Sequence, residues 1–385
     1  MITPLPEALT RRRLLARGLA GAGALAAGAT AVALATGDPE DAPAYAYWRQ
    51  QEKGALGDFE YLVMCATLAP SPHNTQPWRF ALTGDRILVH ADLSRHLGAA
   101  DAQFRMMQVG LGCAIENLEV AAARLGYRCR IVLEEADRRF AFDGHCARIE
   151  LARGAVEHRP AFDAIFRRQT TRAEFDPHDD VPAAVSQALA RQADGLPGVR
   201  LQWLRADATG DRVGDTVRQA ARDYLSEDRH RAGMRWFRIH RADWERQRDG
   251  IAVFNTDAPL LAKQYVEHFV GPADVMGATF RDGEIAAVDR LSAATPLWGL
   301  VVAEGSGVRQ RLLAGRLAER VYLQATALGY AVQPLCYATE TPAGIAALRR
   351  LADVPDGHEP VFLFRLGRSG RVARSVRRPL REVIA

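Results

Sequence analysis

"LAPSPHNTQPWRF", from Leu68 to Phe80, is the stretch on which the reading of this 385-residue chain turns. Before it, Phe59-Glu60-Tyr61-Leu62-Val63-Met64 has the apolar spacing of an amphipathic helix that ends at the loop. After it, "RFAL" and "RILVHA" flank Asp85 and predict a hairpin of two strands. In between, Pro70 and Pro72 fix φ and hold the backbone extended, so little freedom remains to be lost when a ligand binds. Ser71 and Asn74 supply a hydroxyl and an amide, each able to donate and to accept. Gln76 and Trp78 are expected to knit the loop to the core, and His73 to be a structural hydrogen-bonding residue rather than a catalytic one.

The length suffices for one large or two ordinary domains. Hydrophobic content of 48% and charged content of 25% are those of a soluble globular protein. The net charge of +4 rests almost wholly on arginine, since Lys53 and Lys263 are the only lysines. Acids are interspersed among the arginines, so the excess reads as a composition bias and not as a nucleic-acid footprint. The 5 cysteines, Cys65, Cys113, Cys129, Cys146 and Cys336, form no C-x-x-C pair. An odd number closes no disulfide framework, and buried reduced thiols are expected, with no metal site.

The amino terminus carries Thr10-Arg11-Arg12-Arg13-Leu14-Leu15 ahead of a Gly/Ala/Leu/Val/Thr run from Gly18 to Ala35. This charged region followed by a weakly apolar one resembles a twin-arginine export signal, which carries folded proteins across the membrane. The alternatives are an uncleaved membrane anchor or a cytoplasmic protein. Ala33, Ala35, Ala44 and Ala46 offer cleavage sites, and residues 37–56 read as a polar, Pro-containing linker.

Two segments align at a constant offset of 203: "GCAIENLEVAAARLGY" (Gly112–Tyr127) and "GRLAERVYLQATALGY" (Gly315–Tyr330). They share Gly, Glu and the closing Leu-Gly-Tyr, and each leads into a strand, "RCRIVL" or "AVQPLCY". The shared order helix–Gly–Tyr–strand points to an internal duplication, the alternative being two unrelated helices with ordinary glycine caps. Each helix is apolar nearly all round and should lie at a core. Further elements are expected as a helix starting at Phe162, a helix over 182–193, a strand over 199–204, a helix over 210–226, and strands over 298–303 and 360–366. Residues 228–257, rich in Arg and Trp, read as an insertion packed over one face.

No Gly-rich phosphate loop, G-x-S-x-G elbow or H-E-x-x-H occurs, so in an enzyme a bound cofactor should carry the hard step. In "RRQTTR" the side chains of Arg168, Thr170 and Arg172 alternate around a helix end, and Arg377-Arg378 precede Pro379. Guanidinium forks and a hydroxyl suit a terminal phosphate. A solvated basic helix end is the equal alternative. The Ser71 and Asn74 groups suit the alternating N–H and C=O edge of an isoalloxazine.

The pattern Pro-Ser-x-x-Asn-x-Gln-Pro-Trp-x-Phe, the Arg-x-Ser/Thr-x-Arg segment and the arginine before a carboxy-terminal proline together resemble the nitroreductase superfamily of FMN proteins. The order of the pieces is similar to its Acg-type branch, and the resemblance covers residues 57–385. It implies an α+β nitroreductase-like fold with two fused halves, 47–157 and 158–385, forming an intramolecular pseudo-dimer behind a signal and linker over 1–46. Carried over, Arg168, Thr170, Arg172 and Arg377 would hold the FMN phosphate. Pro70, Ser71, Pro72 and Asn74 would come from the first half to the ring and ribityl chain. Cys336 and Tyr337, on the strand after the second core helix, would lie along the ring; the family often has Glu-Gly there. Ser375 stands where some relatives have lysine. The first half lacks the Arg-x-Ser/Thr-x-Arg segment and the second lacks the Pro-Ser loop, so one FMN per chain is expected. The implied activity is electron transfer from NADH or NADPH to a nitroaromatic, quinone or similar small acceptor. The alternative is a protein that binds FMN under a lid, 228–257, with little turnover. No catalytic acid or base can be named from the sequence.

Overall fold

The computed structural model describes residues 38–134, 145–205, 211–256, 258–370 and 373–385. The twin-arginine pattern and the apolar run to Ala35 lie outside the described residues. Two four-stranded antiparallel sheets organise the chain. The first contains β1 (Trp78–Thr83), β2 (Arg86–Ala91), β3 (Tyr127–Leu133) and β4 (Ala147–Arg153), in the order β1-β2-β4-β3. The second contains β5 (Val199–Arg205), β6 (Leu297–Glu304), β7 (Ala331–Pro334) and β8 (His358–Gly367), in the order β5-β6-β8-β7. Strand for strand, the two orders are the same.

Among the described residues, the helices longer than four residues, in chain order, are α1 (Asp58–Thr67), α2 (Arg105–Arg124), α3 (Pro160–Arg167), α4 (Ala183–Ala190), α5 (Asp211–Tyr224), α6 (Glu227–Met234), α7 (Arg241–Gln247), α8 (Leu260–Phe269), α9 (Ala278–Ala293), α10 (Val308–Ala327) and α11 (Pro342–Leu351). The 20-residue helices α2 and α10 each connect the second and third strands of their sheet, and they pack against each other. Their apolar residues point in all directions, so both are buried along almost their whole length. Each is followed by a glycine in the left-handed region, Gly126 at φ 75 and Gly329 at φ 78, which turns the chain into the next strand.

Contact between the two helices is possible because neither has a side chain where they cross. A Cβ on Gly112 would stand 2.1 Å from the Leu312 carbonyl oxygen, and one on Gly315 would stand 2.1 Å from that of Val109. Charged groups then bridge the pair beyond the crossing. Arg316 donates from Nε to Glu116 at 2.8 Å, Arg320 does so at 2.6 Å, and Arg311 reaches the Gln108 amide oxygen at 3.3 Å.

Two expectations need correction. Residues 38–49, read as part of a linker, are packed. Pro39 and Pro43 each start a 3-10 turn, Tyr45 and Trp48 are buried, and Glu40 pairs with Arg374 at 2.6 Å. Large apolar residues in a polar context outweigh the breaker signals of the prolines there. The insertion read as 228–257 is one part of a larger layer. The helices α6 to α9 all belong to it, and Trp244 is fully buried against Tyr45 and Phe254. None of the helices among the described residues is long and apolar enough to cross a membrane.

Candidate functional site

A cavity of about 740 Å³ opens where the loop after α1, the end of α3, the turn after β7 and the carboxy-terminal strap meet beneath the α6–α9 layer. Pro70, Ser71, Pro72, Asn74, Arg168, Thr170, Arg172, Cys336, Tyr337 and Arg377 all line it. Four segments far apart in the sequence are therefore brought to one space.

The proline loop is not uniformly extended. Pro72–Asn74 form a 3-10 turn, and His73, Asn74 and Gln76 take φ of 47, 53 and 50, in the left-handed region that favours glycine. Three non-glycine residues there within four positions hold strain that only strong fixation can maintain. The fixation is visible. Asn74 donates from Nδ2 to the carbonyls of Gly250 and Val376, each at 3.1 Å, and accepts from Arg377 at 3.0 Å. Gln76 donates to the Arg248 carbonyl at 2.8 Å and accepts from the Arg378 backbone at 2.9 Å. Ser71 Oγ accepts from the Gln76 backbone at 2.9 Å. The polar side chains of the motif thus bind both the lid layer and the carboxy-terminal strap. Asp249 strengthens the same seam through Arg95 and Arg238. Trp78 is fully buried, as expected of a residue that knits the loop to the core.

One end of the cavity is cationic. Arg168 is buried, with its Nη groups on Thr170 Oγ1 at 3.3 Å and the Leu68 carbonyl at 2.9 Å. Arg172 donates to the Asn255 carbonyl at 3.0 Å, and Thr170 Oγ1 lies 3.3 Å from the Tyr322 hydroxyl. Arg377 spends its Nη groups on Asn74 and on the carbonyls of Leu68, Ala69, Ser375 and Val376. The Nε atoms of Arg168 and Arg377 are buried with no hydrogen-bond partner. Burial, then the neighbouring Arg168, pulls Arg377 well below the ordinary guanidinium range. Trp48 has the guanidinium groups of Arg168, Arg374 and Arg377 over its ring, at 5.8, 5.4 and 4.6 Å from the centroid. Behind Arg168 stands Glu319, fully buried and 3.6 Å from its Nε. Burial pushes that carboxyl up to about 7 against the pull of Arg168.

The other end is lined by hydroxyl, carboxyl and imidazole groups. Cys336 and Tyr337 stand on a 3-10 turn after β7, not on a strand as the sequence suggested; β7 stops at Pro334, whose missing N–H ends its ladder. Burial raises the Cys336 thiol to about 12. The Tyr337 hydroxyl donates to Glu284 of α9 at 2.7 Å, and its ring packs edge-on against Tyr224. His230 of α6 faces Glu284 at 3.4 Å through Nδ1 and the Val275 carbonyl at 2.9 Å through Nε2. Burial opposes the charge on Glu284, but the bonds from His230 and Tyr337 outweigh it and hold the carboxyl below its usual range. Glu340, also on the wall, is pushed up to about 7 by burial despite Arg105. His73 is buried and pulled below its ordinary range, and its Nε2 approaches the backbone of α6 at Gly233.

Sequence reading missed Trp48, Glu284, Glu319 and His230. Glu319 carried a signal, because it occupies the repeat position of Glu116. Trp48 was the one large aromatic residue beside Tyr45 and Tyr47 in a stretch otherwise read as linker. Glu284 and His230 carried none, since nothing in their spacing relates them to Tyr337.

No family model matches the chain. It is 26% identical over 315 residues to the provisionally named NAD(P)H nitroreductase Rv3131 of Mycobacterium tuberculosis, covering 78% of this chain and 82% of that one. It is 30% identical over 131 residues to the provisionally named NAD(P)H nitroreductase acg of the same organism, covering 32% of this chain and 38% of that one. Among solved structures it is similar to the FMN-dependent nitroreductase NfnB of Mycobacterium smegmatis in complex with NADPH. The identity is 16%, the coverage 58% of this chain and 96% of that one, and the TM-score 0.38, too low to carry an argument from shape. Over more than three quarters of its length, then, the chain is similar to a protein that bears a nitroreductase name.

Proposed function

We propose that the chain is an FMN-dependent oxidoreductase that takes electrons from NADH or NADPH and passes them to a small acceptor such as a nitroaromatic or quinone. The observation that carries this is the convergence of all ten motif residues on one cavity. The relatives' nitroreductase names support the same reading.

The residues fit the cofactor. The buried, unpartnered Nε donor of Arg377 suits a phosphate, with Arg168, Thr170 and Arg172 beside it. Because the Nη groups of Arg377 are spent on the loop, it would reach a phosphate through Nε alone, while Arg168, whose Nε faces Glu319 and whose Nη groups bond Thr170 and Leu68, would exchange one of these bonds for the phosphate. Pro70, Ser71 and Pro72 would flank the ring. The pinned loop would hold its shape when a ligand arrives, so ordering costs little. The flavin supplies two-electron transfer; the chain binds it, orients it and excludes water beneath the lid layer. The shared strand order and the meeting of Gly112 with Gly315 support a duplication in which two nitroreductase-like halves form a pseudo-dimer around one FMN. Export through the twin-arginine route remains part of this proposal. A visible spectrum with a flavin count tests the reading: about one FMN per chain is expected, and a colourless protein that refuses added FMN refutes it.

A second reading, FMN binding with little turnover, is favoured by one feature. The lid is fastened to the site at Asn74, Gln76 and Tyr337, so opening it breaks buried bonds. Anaerobic mixing with NADH or NADPH separates the two: rapid bleaching supports the enzyme, and bleaching by dithionite alone supports the binding protein.

A further inference from the structure

We infer that the lid contributes a proton path, His230–Glu284–Tyr337, that protonates the reduced acceptor. The inference rests on the oxidoreductase reading above and adds to it the acid that the sequence could not name.

The surroundings favour a doubly protonated His230. Its Nε2 faces a carbonyl, which can only accept, and its Nδ1 faces a carboxylate 3.4 Å away, an ion-pair separation and not a formed hydrogen bond. A neutral ring would set a lone pair against one of these two acceptors, whereas the imidazolium donates to the carbonyl and places its charge beside the carboxylate. Glu284 joins this ring to the site. One carboxyl oxygen faces His230 and the other accepts from the Tyr337 hydroxyl at 2.7 Å. All three side chains line the cavity, the first two from lid helices α6 and α9 and the third from the turn after β7. The other titratable or charged groups that act on this set are His73, Tyr224, Cys336 and Arg281. Burial, opposed by Glu284 and aided by Arg172, pulls His73 below its ordinary range, burial raises Tyr224, Cys336 and Tyr337 itself, and the arginine does not release a proton.

The chemistry has a place for one proton. Reduction of a quinone to a hydroquinone adds two electrons and two protons. A hydride that originates on the nicotinamide brings both electrons and one proton. The second proton must reach the anionic acceptor oxygen from elsewhere. Along this path Tyr337 gives its hydroxyl proton to that oxygen, while the His230 proton passes to the Glu284 carboxylate and from there to the Tyr337 oxygen. Glu284 thus ends ionised as it began, and His230 ends neutral and takes a proton from solvent. Tyr337 would be the catalytic residue, with Glu284 and His230 acting through it.

The test uses the holoprotein in stopped flow, with a water-soluble benzoquinone as acceptor. Tyr337→Phe and Glu284→Gln should each slow reoxidation about tenfold or more at neutral pH, a larger loss than either shows in reduction by the nicotinamide, as loss of a general acid predicts. Wild-type reoxidation should fall as pH rises through the His230 titration, followed by NMR, and that titration should move down in Glu284→Gln. Should Glu284→Gln not fold, Tyr337→Phe keeps the ring against Tyr224 and carries the test alone. Reoxidation unchanged in Tyr337→Phe, both half-reactions falling together, or a His230 that titrates below the ordinary imidazole value would overturn the path. A protein that retains no flavin would instead overturn the oxidoreductase reading, and the His230 titration would still report on the pair.

Discussion

Gly112 and Gly315, 203 residues apart, meet face to face where the two long core helices cross, each with its Cα within 3 Å of where the other's Cβ would be. The neighbouring contacts are reciprocal: Gly112 abuts the carbonyl of Leu312, and Gly315 that of Val109, which is the same step along each helix. Such exchange of equivalent contacts is the mark of a two-fold interface. An alanine at either position collides with backbone that cannot move aside. Gly112→Ala and Gly315→Ala should each cost about 1–3 kcal/mol or more, measured by urea unfolding. A loss below about half a kcal/mol would show that the helices separate freely.

Asn74 is the second point of leverage. Its amide serves three partners, on the lid, the strap and Arg377. Asn74→Ala leaves the buried Gly250 carbonyl without its side-chain donor, at about 1–3 kcal/mol, while the Val376 carbonyl and Arg377 keep each other. The lid should become the first region cut by limited proteolysis, near Arg248–Gly250, and flavin retention should fall with it. A wild-type cleavage pattern would place the strength of the seam elsewhere, at Asp249 with Arg95 and Arg238.

Arg168→Ala and Arg172→Ala should each weaken FMN retention by about 1.5–3 kcal/mol, the worth of one charge-assisted bond, or roughly ten- to a hundredfold in Kd. Equilibrium dialysis reads this directly. Arg168→Ala should also lower stability, because Glu319 loses the cation beside it. The same Kd in both variants would remove these arginines from the phosphate site.

Glu319 makes stability depend on pH with a definite sign. Its carboxyl is raised to about 7 in the folded chain, above its ordinary value, so the folded state holds the proton more tightly than the unfolded state. Stability is therefore greatest below the ordinary carboxyl range and is lost as pH climbs towards 7, by an amount on the order of 3 kcal/mol. Glu340 and Asp101, raised to about 7 and 6, act in the same direction. Glu319→Gln should flatten part of this decline and be more stable than wild type at pH 8 in thermal melts. A steeper decline in the variant would mean that the ion pair with Arg168 outweighs the burial.

The packing of residues 38–49 limits where a signal can be cut. Removal of residues through Ala44 or Ala46 would take away Glu40, the partner of Arg374, and the Ala44 carbonyl that accepts from the Arg377 backbone at 3.1 Å. Amino-terminal sequencing of exported protein should therefore find a start before Asp38, as a cut near Ala33 or Ala35 would give. A mature chain beginning beyond Ala46 would contradict this.

What the sequence determined by itself was local and periodic. Hydrophobic spacing marked α1, α2, α10, the β1–β2 hairpin and the later strands, because burial of one face fixes these elements wherever they stand. Glycine positions marked the caps at Gly126 and Gly329, which only a left-handed residue can make. The residues of the cavity were legible chiefly through the resemblance of their pattern to a known family, since side-chain chemistry alone left the arginines equally readable as a solvated helix end. Tertiary structure alone decided the rest. It tied Asn74 and Gln76 to Gly250, Arg248 and the carboxy-terminal strap, drew the stretch around Trp48 into the arginine cluster, and set Glu284 and His230 beside Tyr337. Those relationships join residues tens to hundreds of positions apart. Hydrogen bonds and ion pairs act over a few ångströms of space and leave no period in the chain, so only the folded path could bring them within reach.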